Sequence, residues 1–250
     1  MNRARRDEEK RSDSVSVGVR KKEVTPYLLR AEKGKRKHIR EERLGIENKS
    51  LTEWKCGYIK IKPTKIKGEK SMSKKIFIVS SSPRKNGNSD FLAEEFARGA
   101  REAGHAVEKV NLRDMELKFC TGCLSCLKRG ECILKDGVNA LLPRVSGADV
   151  LVFATPIYYY EMSGQLKTFL DRMNPLYPKE NSFREVYLLA ASADDAPEAM
   201  DGAVKGIEGW VACFDGVCLK GVVRGTGANA AGEIKGTKAA GEAYEAGRAV

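Results

Sequence analysis

The stretch ADVLVFATPIYYYEMSGQLKTFLDR, residues 148–172, decides the fold of this chain. Within it, Asp149–Thr155 is a nearly continuous apolar run, which is typical of a central parallel strand that is covered on both faces. Ser163–Met173 follows after a short turn, and its apolar residues recur at helical spacing: Leu166, Phe169, Leu170 and Met173. A buried strand that leads into an amphipathic helix predicts an α/β domain.

The same alternation of strand and helix extends to both sides of this stretch. Short apolar runs predict four further strands at Ile76–Ser80, Ala106–Leu112, Val186–Ala191 and Val217–Arg224. A helix follows the first strand, where Asn88 or Ser89 can cap it, and other helical patterns cover Val138–Val145, Ala199–Phe214 and Thr237–Val250. Five strands that alternate with helices predict one doubly wound α/β domain at residues 72–250, with a five-stranded parallel sheet.

Residues 1–71 differ from the rest of the chain in charge and in apolar content. They hold 22 Lys/Arg and 11 Asp/Glu, whereas residues 72–250 hold 23 of each, so the whole net charge of +11 lies in the first segment. Because apolar residues are sparse there, we expect a disordered basic extension that cannot offset its ordering entropy by burial. A basic arm for RNA, DNA or anionic lipid is the alternative that its charge allows.

A further hypothesis is that residues 1–71 are a translated leader and that the natural start is Met72. Met72 directly precedes the first predicted strand, and with suitable codons Lys67-Gly68-Glu69 spells a purine-rich ribosome-binding sequence just upstream. The first twenty residues are charged and lack the apolar run of a secretory signal. The most apolar stretch, residues 149–160, is far too short to span a bilayer. We therefore expect a cytoplasmic protein.

The polar turn SSPRKNGNS, residues 81–89, lies between the first strand and the N-terminus of the next helix. Backbone N–H groups and the helix dipole at such a place suit a phosphate. Short hydrogen-bond donors and one planar cation add to them: Ser81, Ser82, Asn88, Ser89 and Arg84. The glycine patterns of nucleotide triphosphatases and of dinucleotide folds are missing, which favours a monophosphate bound without magnesium. An ordinary polar turn is equally compatible with this spacing.

The turn after the third strand carries Pro156 and three consecutive tyrosines. In an open α/β sheet, ligands bind outside the carboxyl ends of the strands, where the strand order switches. A flat aromatic cofactor would find side chains to pack on there and backbone N–H groups for its ring edge. Three tyrosines in a row cannot all face the same way, so we expect at least one in the core or at a dimer interface.

The segment CTGCLSCLKRGEC, residues 120–132, places four cysteines in the spacing C-x2-C-x2-C-x5-C: Cys120, Cys123, Cys126 and Cys132. The first three have the compact spacing that lets thiolates surround one [4Fe–4S] cubane. Zinc is an alternative, although this spacing crowds a single tetrahedral ion. A dithiol switch and a metal-free loop also stay open.

These pieces together resemble the flavodoxin-like NADPH-dependent FMN reductases, in particular the branch that includes the iron–sulfur flavoproteins. The resemblance spans residues 74–250 and rests on residues 82–89, 120–132, 148–172 and 238–250. It implies a flavodoxin-like fold that binds FMN, with its phosphate held by Ser82, Arg84, Asn88 and Ser89. The isoalloxazine would lie along Pro156, Ile157, Tyr158 and Tyr159, with the loop that starts at Ser192 on the other side. One departure is Ser81, where such proteins often have glycine.

The resemblance also implies an NAD(P)H-dependent oxidoreductase in which no side chain performs acid–base chemistry. The pyridine nucleotide would pass hydride to FMN, which would then reduce a quinone, a free flavin, a nitroaromatic or a protein carrier. A [4Fe–4S] cluster on the four cysteines would instead take electrons one at a time, so an electron carrier without pyridine-nucleotide turnover is the first alternative. The resemblance further implies a homo-oligomer that assembles across the flavin face. A nucleic-acid-binding module that uses residues 1–71 is the alternative of another class.

Overall fold

The computed structural model describes residues 72–250. The hypotheses of a disordered extension, a basic arm and a translated leader concern residues 1–71 and lie outside the described residues. Six strands are present in the described part: β1 Lys75–Ser80, β2 Ala106–Asn111, β3 Val150–Tyr158, β4 Glu161–Met162, β5 Glu185–Ala191 and β6 Cys218–Gly225.

Five of these strands form one parallel sheet in the order β2-β1-β3-β5-β6. The predicted five-stranded parallel sheet is therefore confirmed, with boundaries within two residues of the predicted ones except at the carboxyl end of β3. There the strand continues to Tyr158 and pairs antiparallel with β4. The short strand β4 was not predicted from the sequence.

The described helices are α1 Asn88–Glu102, α2 Ser125–Arg129, α3 Val138–Ser146, α4 Gly164–Asp171, α5 Asp201–Val211 and α6 Lys238–Arg248. Three-residue or four-residue 3-10 turns lie at Leu112–Asp114, Asn174–Leu176 and Pro197–Met200. Helices α1 and α6 cover one face of the sheet, and α3, α4 and α5 cover the other. The doubly wound arrangement predicted from the sequence is thus confirmed.

Each strand supports two cores because successive side chains point to opposite faces of the sheet. Under α1 and α6 the core includes Ile76, Ile78 and Phe96, all of which are buried. Under the other three helices it includes Phe77 and Phe169. Both cores are built from the apolar runs that the sequence displays, so hydrophobic periodicity accounts for the layers.

The strand order switches between β1 and β3, which lie side by side although β2 separates them in the chain. Their carboxyl ends are in register, with Ser80 paired to Ala154. The polar turn and the tyrosine turn therefore start from the same edge of the sheet. No helix within residues 72–250 is long and apolar enough to cross a membrane, and the cytoplasmic location stays a prediction.

Candidate functional site

The polar turn and the segment after β3 are joined by buried polar contacts at this edge of the sheet. The Ser81 N–H donates to the Ala154 carbonyl at 2.9 Å, and the Ser163 hydroxyl donates to the Ser81 hydroxyl at 2.9 Å. Ser163 also donates its N–H to Thr155 Oγ1 and caps α4 by accepting from Leu166 N. The sequence did not single out Ser163 as a site residue, although a serine before an apolar helical pattern is an N-cap signal.

The first turn of α1 presents donors that the protein itself does not use. The N-cap is Gly87, and no side chain caps the helix. Phe91 is the first residue whose N–H bonds back to Gly87, so the N–H groups of Asn88, Ser89 and Asp90 have no helical partner. The Ser89 hydroxyl is buried, and no hydrogen-bond partner for it exists among the described residues. An anion would satisfy this set of donors.

Asn88 uses its side chain to hold a neighbouring loop. Its side-chain amide bonds four backbone groups of the loop after β6, the β6–α6 loop (residues 226–237): the carbonyls of Ala228 and Ala230 and the amides of Gly232 and Ile234. The prediction that Asn88 or Ser89 caps α1 is wrong, because both residues lie inside the helix and Gly87 precedes it. Asn88 keeps only its backbone N–H for a phosphate.

The other predicted phosphate residues lie along the same tight turn. Ser82 is buried, and its hydroxyl donates to the Arg84 carbonyl at 2.9 Å. A Cβ on Gly87 would come within 2.3 Å of Ser82 Oγ, so a larger residue at this position would displace the Ser82 hydroxyl. Arg84 is exposed at the rim, where its guanidinium donates to the Asn229 carbonyl of the β6–α6 loop at 3.0 Å. The turn thus gathers Ser82, Arg84 and Ser89, and their contact with a phosphate stays a prediction.

A buried carboxylate, Asp90, lies beneath the polar turn. Ser80 Oγ and Lys109 Nζ both donate to its Oδ1 at 2.7 Å, and Arg113 donates to its Oδ2 at 3.2 Å. Burial alone would raise the pKa of Asp90, but these hydrogen bonds and the two cations hold the pKa below its ordinary value. The cations also offset the negative charge next to the free amides of α1, so the carboxylate repels an incoming anion less.

The tyrosines after β3 form a tight hairpin, the tyrosine hairpin (residues 156–163). Tyr158 pairs with Glu161, and the two turn residues Tyr159 and Tyr160 both have positive φ, at 50° and 64°. Hairpins of this type favour Asn-Gly, so two tyrosines at the turn carry no recognisable turn signal. A Cβ on Gly202 of α5 would lie 2.4 Å from the Tyr160 carbonyl, so α5 packs directly against the hairpin.

The predicted isoalloxazine residues run from the root of this hairpin to its tip. Pro156 and Ile157 are half-buried, Tyr158 is 43% exposed and Tyr159 is fully exposed. None of the three tyrosines lies in the core, since Tyr160 is 64% exposed. The sequence led us to expect at least one tyrosine in the core or at a dimer interface. The core position is therefore wrong, and the interface position stays a prediction.

Ser192, predicted to face the flavin from the other side, lies at the same edge of the sheet. It is buried, and its hydroxyl exchanges hydrogen bonds with the backbone of Asp194. Its carbonyl accepts from Ala228 N at 2.8 Å, so it joins the loop after β5 to the β6–α6 loop. The side chain is committed to its own loop, and Ser192 places that loop beside the polar turn.

The four cysteines lie in a separate segment, the cysteine loop (residues 119–135). Cys120 and Cys123 are exposed, Cys126 is buried and Cys132 is half-buried. Hydrogen bonds from Ser125 and Thr121 lower the pKa of Cys123. Nowhere in residues 72–250 do three or more His, Cys, Asp or Glu side chains come together as a metal site. This arrangement does not gather the predicted ligands, so the [4Fe–4S] cluster stays a prediction.

Comparison with known proteins agrees with this fold. Residues 74–223 match the model of the NADPH-dependent FMN reductase family. This chain therefore belongs to the NADPH-dependent FMN reductase family, as the resemblance in its motifs implied.

Individual relatives are similar to parts of this chain. An iron-sulfur flavoprotein of Archaeoglobus fulgidus is 38% identical over 94 residues, which are 38% of this chain and 43% of the relative. An iron-sulfur flavoprotein of Methanocaldococcus jannaschii is 36% identical over 41% of this chain and 53% of its own length. The chain thus spans about half the length of these curated relatives. The fold resembles that of NAD(P)H:quinone oxidoreductase from Methanothermobacter marburgensis, with a TM-score of 0.53 and 20% identity over 70% of this chain and 98% of that one.

Proposed function

We propose that this chain binds FMN and acts as an NAD(P)H-dependent oxidoreductase that delivers electrons to a small-molecule or protein acceptor. The observation that carries the proposal is the set of unused donors at the start of α1, above all the buried hydroxyl of Ser89. A phosphate monoester would satisfy that hydroxyl and the neighbouring N–H groups, at the strand-order switch where flavodoxin-like sheets bind FMN. The family to which the chain belongs adds FMN and NADPH by its name.

In this proposal the chain supplies binding and orientation. Ser82, Arg84, Ser89 and the first N–H groups of α1 hold the phosphate of FMN. The isoalloxazine packs along Pro156, Ile157 and Tyr158, which lie at the carboxyl end of β3. When bound, FMN supplies the two-electron chemistry, and no side chain is required to move a proton on the substrate.

Anaerobic mixing with reduced pyridine nucleotide tests the activity. The full chain is loaded with FMN and mixed with NADPH or NADH, and the visible absorbance of the flavin is followed. We expect rapid bleaching without a protein partner, and recovery of colour on addition of a quinone, a nitroaromatic or free flavin. A colourless chain that cannot be reconstituted with FMN would defeat the proposal.

An iron–sulfur flavoprotein that only carries electrons is the second candidate. It is favoured by the names of relatives 36% and 38% identical to this chain and by the four cysteines of the cysteine loop. Anaerobic purification followed by iron and sulfide assays tests the cluster. Bleaching by a reduced ferredoxin but not by NAD(P)H would favour the carrier over the reductase.

A cysteine variant separates the cluster from the flavin. If the four cysteines bind a [4Fe–4S] cluster, Cys123→Ser removes the bound iron and leaves FMN in place. Cys213→Ser is the matched control, because Cys213 is also exposed but follows α5 outside the cysteine loop. Iron that persists in Cys123→Ser would contradict ligation by this residue.

Two further expectations are tested by truncation. We propose that residues 72–250 are an autonomous FMN-binding domain, so a chain that starts at Met72 should bind FMN as tightly as the full chain. Nucleic-acid binding through residues 1–71 would show as salt-sensitive retention that disappears in the shortened chain.

Light scattering on both proteins measures the predicted homo-oligomer, for which the exposed Tyr159 is a suitable contact.

A further inference from the structure

A buried ion pair closes the base of the cysteine loop. Arg172, which follows α4, and Asp136, which precedes α3, are both completely buried at their side chains. The guanidinium donates to the carboxylate with both terminal nitrogens, Nη1 to Oδ2 at 2.5 Å and Nη2 to Oδ1 at 3.0 Å. This two-point geometry is specific to arginine and fixes the direction of both side chains.

The same pair also holds the two ends of the loop together. Arg172 Nη1 donates to the carbonyl of Lys118, the residue directly before the loop, at 2.6 Å. Asp136 accepts from Lys118 N at 2.9 Å and from Val138 N at 3.1 Å. Lys118 and Asp136 flank residues 119–135, so all four cysteines lie within the segment that this one ion pair closes.

The two less exposed cysteines, Cys126 and Cys132, are also held by the domain. We call them the inner pair, and we call the exposed Cys120 and Cys123 the outer pair. Cys126 accepts a contact from Asn174 Nδ2 at 3.6 Å. The backbone of Cys132 is bound in both directions by the Asn139 amide, at 3.0 and 2.8 Å. The loop is thus divided into an anchored inner pair, Cys126 and Cys132, and the exposed outer pair Cys120 and Cys123.

Burial would lower the pKa of Arg172, but the hydrogen bonds and the charge of Asp136 hold it above its ordinary value. The Nε atom of Arg172 is also buried and has no hydrogen-bond partner among the described residues. The guanidinium therefore keeps one unused donor at the base of the cysteine loop.

We propose that Arg172 is a positioning residue that, paired with Asp136, closes the cysteine loop and fixes Cys132 and Cys126 against the domain. This role rests on the proposed function, because fixed thiols matter only if the loop takes part in electron transfer. FMN content is therefore measured in every sample, so that a failure of flavin binding and a failure of loop closure give separate results.

The test is the rate at which each cysteine reacts with a thiol reagent, resolved by peptide mass spectrometry. The full chain is reduced, treated with a chelator and loaded with FMN. Arg172→Met combined with Asp136→Asn removes both buried charges together and so avoids an unpaired one. Lys167→Met with Asp171→Asn is the matched control, because this exposed ion pair lies on the same helix α4. Arg172→Lys keeps the charge but not the two-point geometry.

We expect Cys126 and Cys132 to react at least about tenfold faster in the Arg172/Asp136 variant. This factor corresponds to a loss of about 1.4 kcal/mol from the free energy that holds the loop closed. The outer pair and the control variant should keep their rates, and Arg172→Lys should give intermediate rates for the inner pair. Unchanged rates for Cys126 and Cys132 would overturn the proposal. Equal acceleration of the half-buried Cys218 in β6 would overturn it too, since the pair would then stabilise the whole domain rather than the loop.

Discussion

The polar turn and the cysteine loop hold their candidate ligand groups in different ways. The polar turn lies at the ends of β1 and β3. Asn88 binds the backbone of the β6–α6 loop, and Ser163 binds the Ser81 hydroxyl of the turn. The cysteine loop is closed at its base by one ion pair, and two of its four thiols are exposed. The difference indicates that the fold itself holds the polar turn in place, whereas it fixes the cysteine loop mainly at its base.

The largest effect on the free energy of unfolding is expected at Asn88, which connects α1 to the β6–α6 loop. Asn88→Ala leaves buried backbone groups of that loop unpaired, which should lower the free energy of unfolding by about 3 kcal/mol. Urea unfolding of the flavin-free protein measures the loss. The exposed Asn229 in the same loop supplies the control Asn229→Ala, expected within about 0.5 kcal/mol of the parent. A similarly small change for Asn88→Ala would show that the polar turn is not held by this residue.

A pH-dependent effect is expected at Asp90 beneath the polar turn. Its pKa in the folded protein lies below the ordinary value, so its contribution to stability is present above about pH 4, the unfolded pKa, and is lost as the pH falls through the folded pKa. Asp90→Asn should therefore lower stability at neutral pH and flatten the fall in stability toward acid. Unfolding curves from pH 7 down to acid, compared with those of the exposed-site variant Asp171→Asn, check this slope. An unchanged slope in Asp90→Asn would contradict the assignment.

A smaller effect that separates ligand binding from stability is expected at Ser89. In Ser89→Ala the FMN affinity should fall by about tenfold, the consequence of one lost hydrogen bond to a charged group. The flavin-free protein should be as stable as the parent or more stable, because its buried hydroxyl has no partner to lose. Flavin titration and urea unfolding measure the two quantities, with Ser73→Ala as a control on the exposed surface. A parallel loss of stability would mean that Ser89 is structural.

The smallest effect on the isolated fold is expected at Tyr159. Because its side chain is fully exposed, Tyr159→Ala should change the free energy of unfolding of the monomer by less than about 0.5 kcal/mol. If the tyrosine hairpin contacts a second copy, the same change should weaken the oligomer. Light scattering over a dilution series detects that, with the exposed Tyr177→Ala as control. An equal effect of both variants on the oligomer would show that the hairpin is not part of the interface.

The sequence predicts the sheet because its signal is local. Each parallel strand is an apolar run, as in Ile76–Ser80. Each large helix repeats apolar residues at the helical period, as in Ser163–Met173. The tyrosine hairpin was missed because Tyr159 and Tyr160 adopt positive φ without glycine or asparagine. Here the packing of α5 overrides the local preference of the turn residues.

The candidate site was predicted in position but not in detail. The polar turn, the tyrosines and the loop at Ser192 do meet at one edge of the sheet, as parallel strand ends must. The partners of Asn88 lie about 140 residues away in the chain, so no local pattern could assign its amide to the β6–α6 loop. For the same reason nothing in the cysteine spacing indicated Arg172, which directly follows α4.

The positive φ angles of Tyr159 and Tyr160 bear on how this protein could be improved or damaged by engineering. A left-handed conformation costs a residue other than glycine roughly 1–2 kcal/mol, so an Asn-Gly turn at these positions would relieve backbone strain. That replacement would also remove two aromatic rings from the surface beside the candidate flavin site. Selection for thermal stability alone should favour the change, whereas selection for turnover should resist it, which makes this pair a place where the two demands compete.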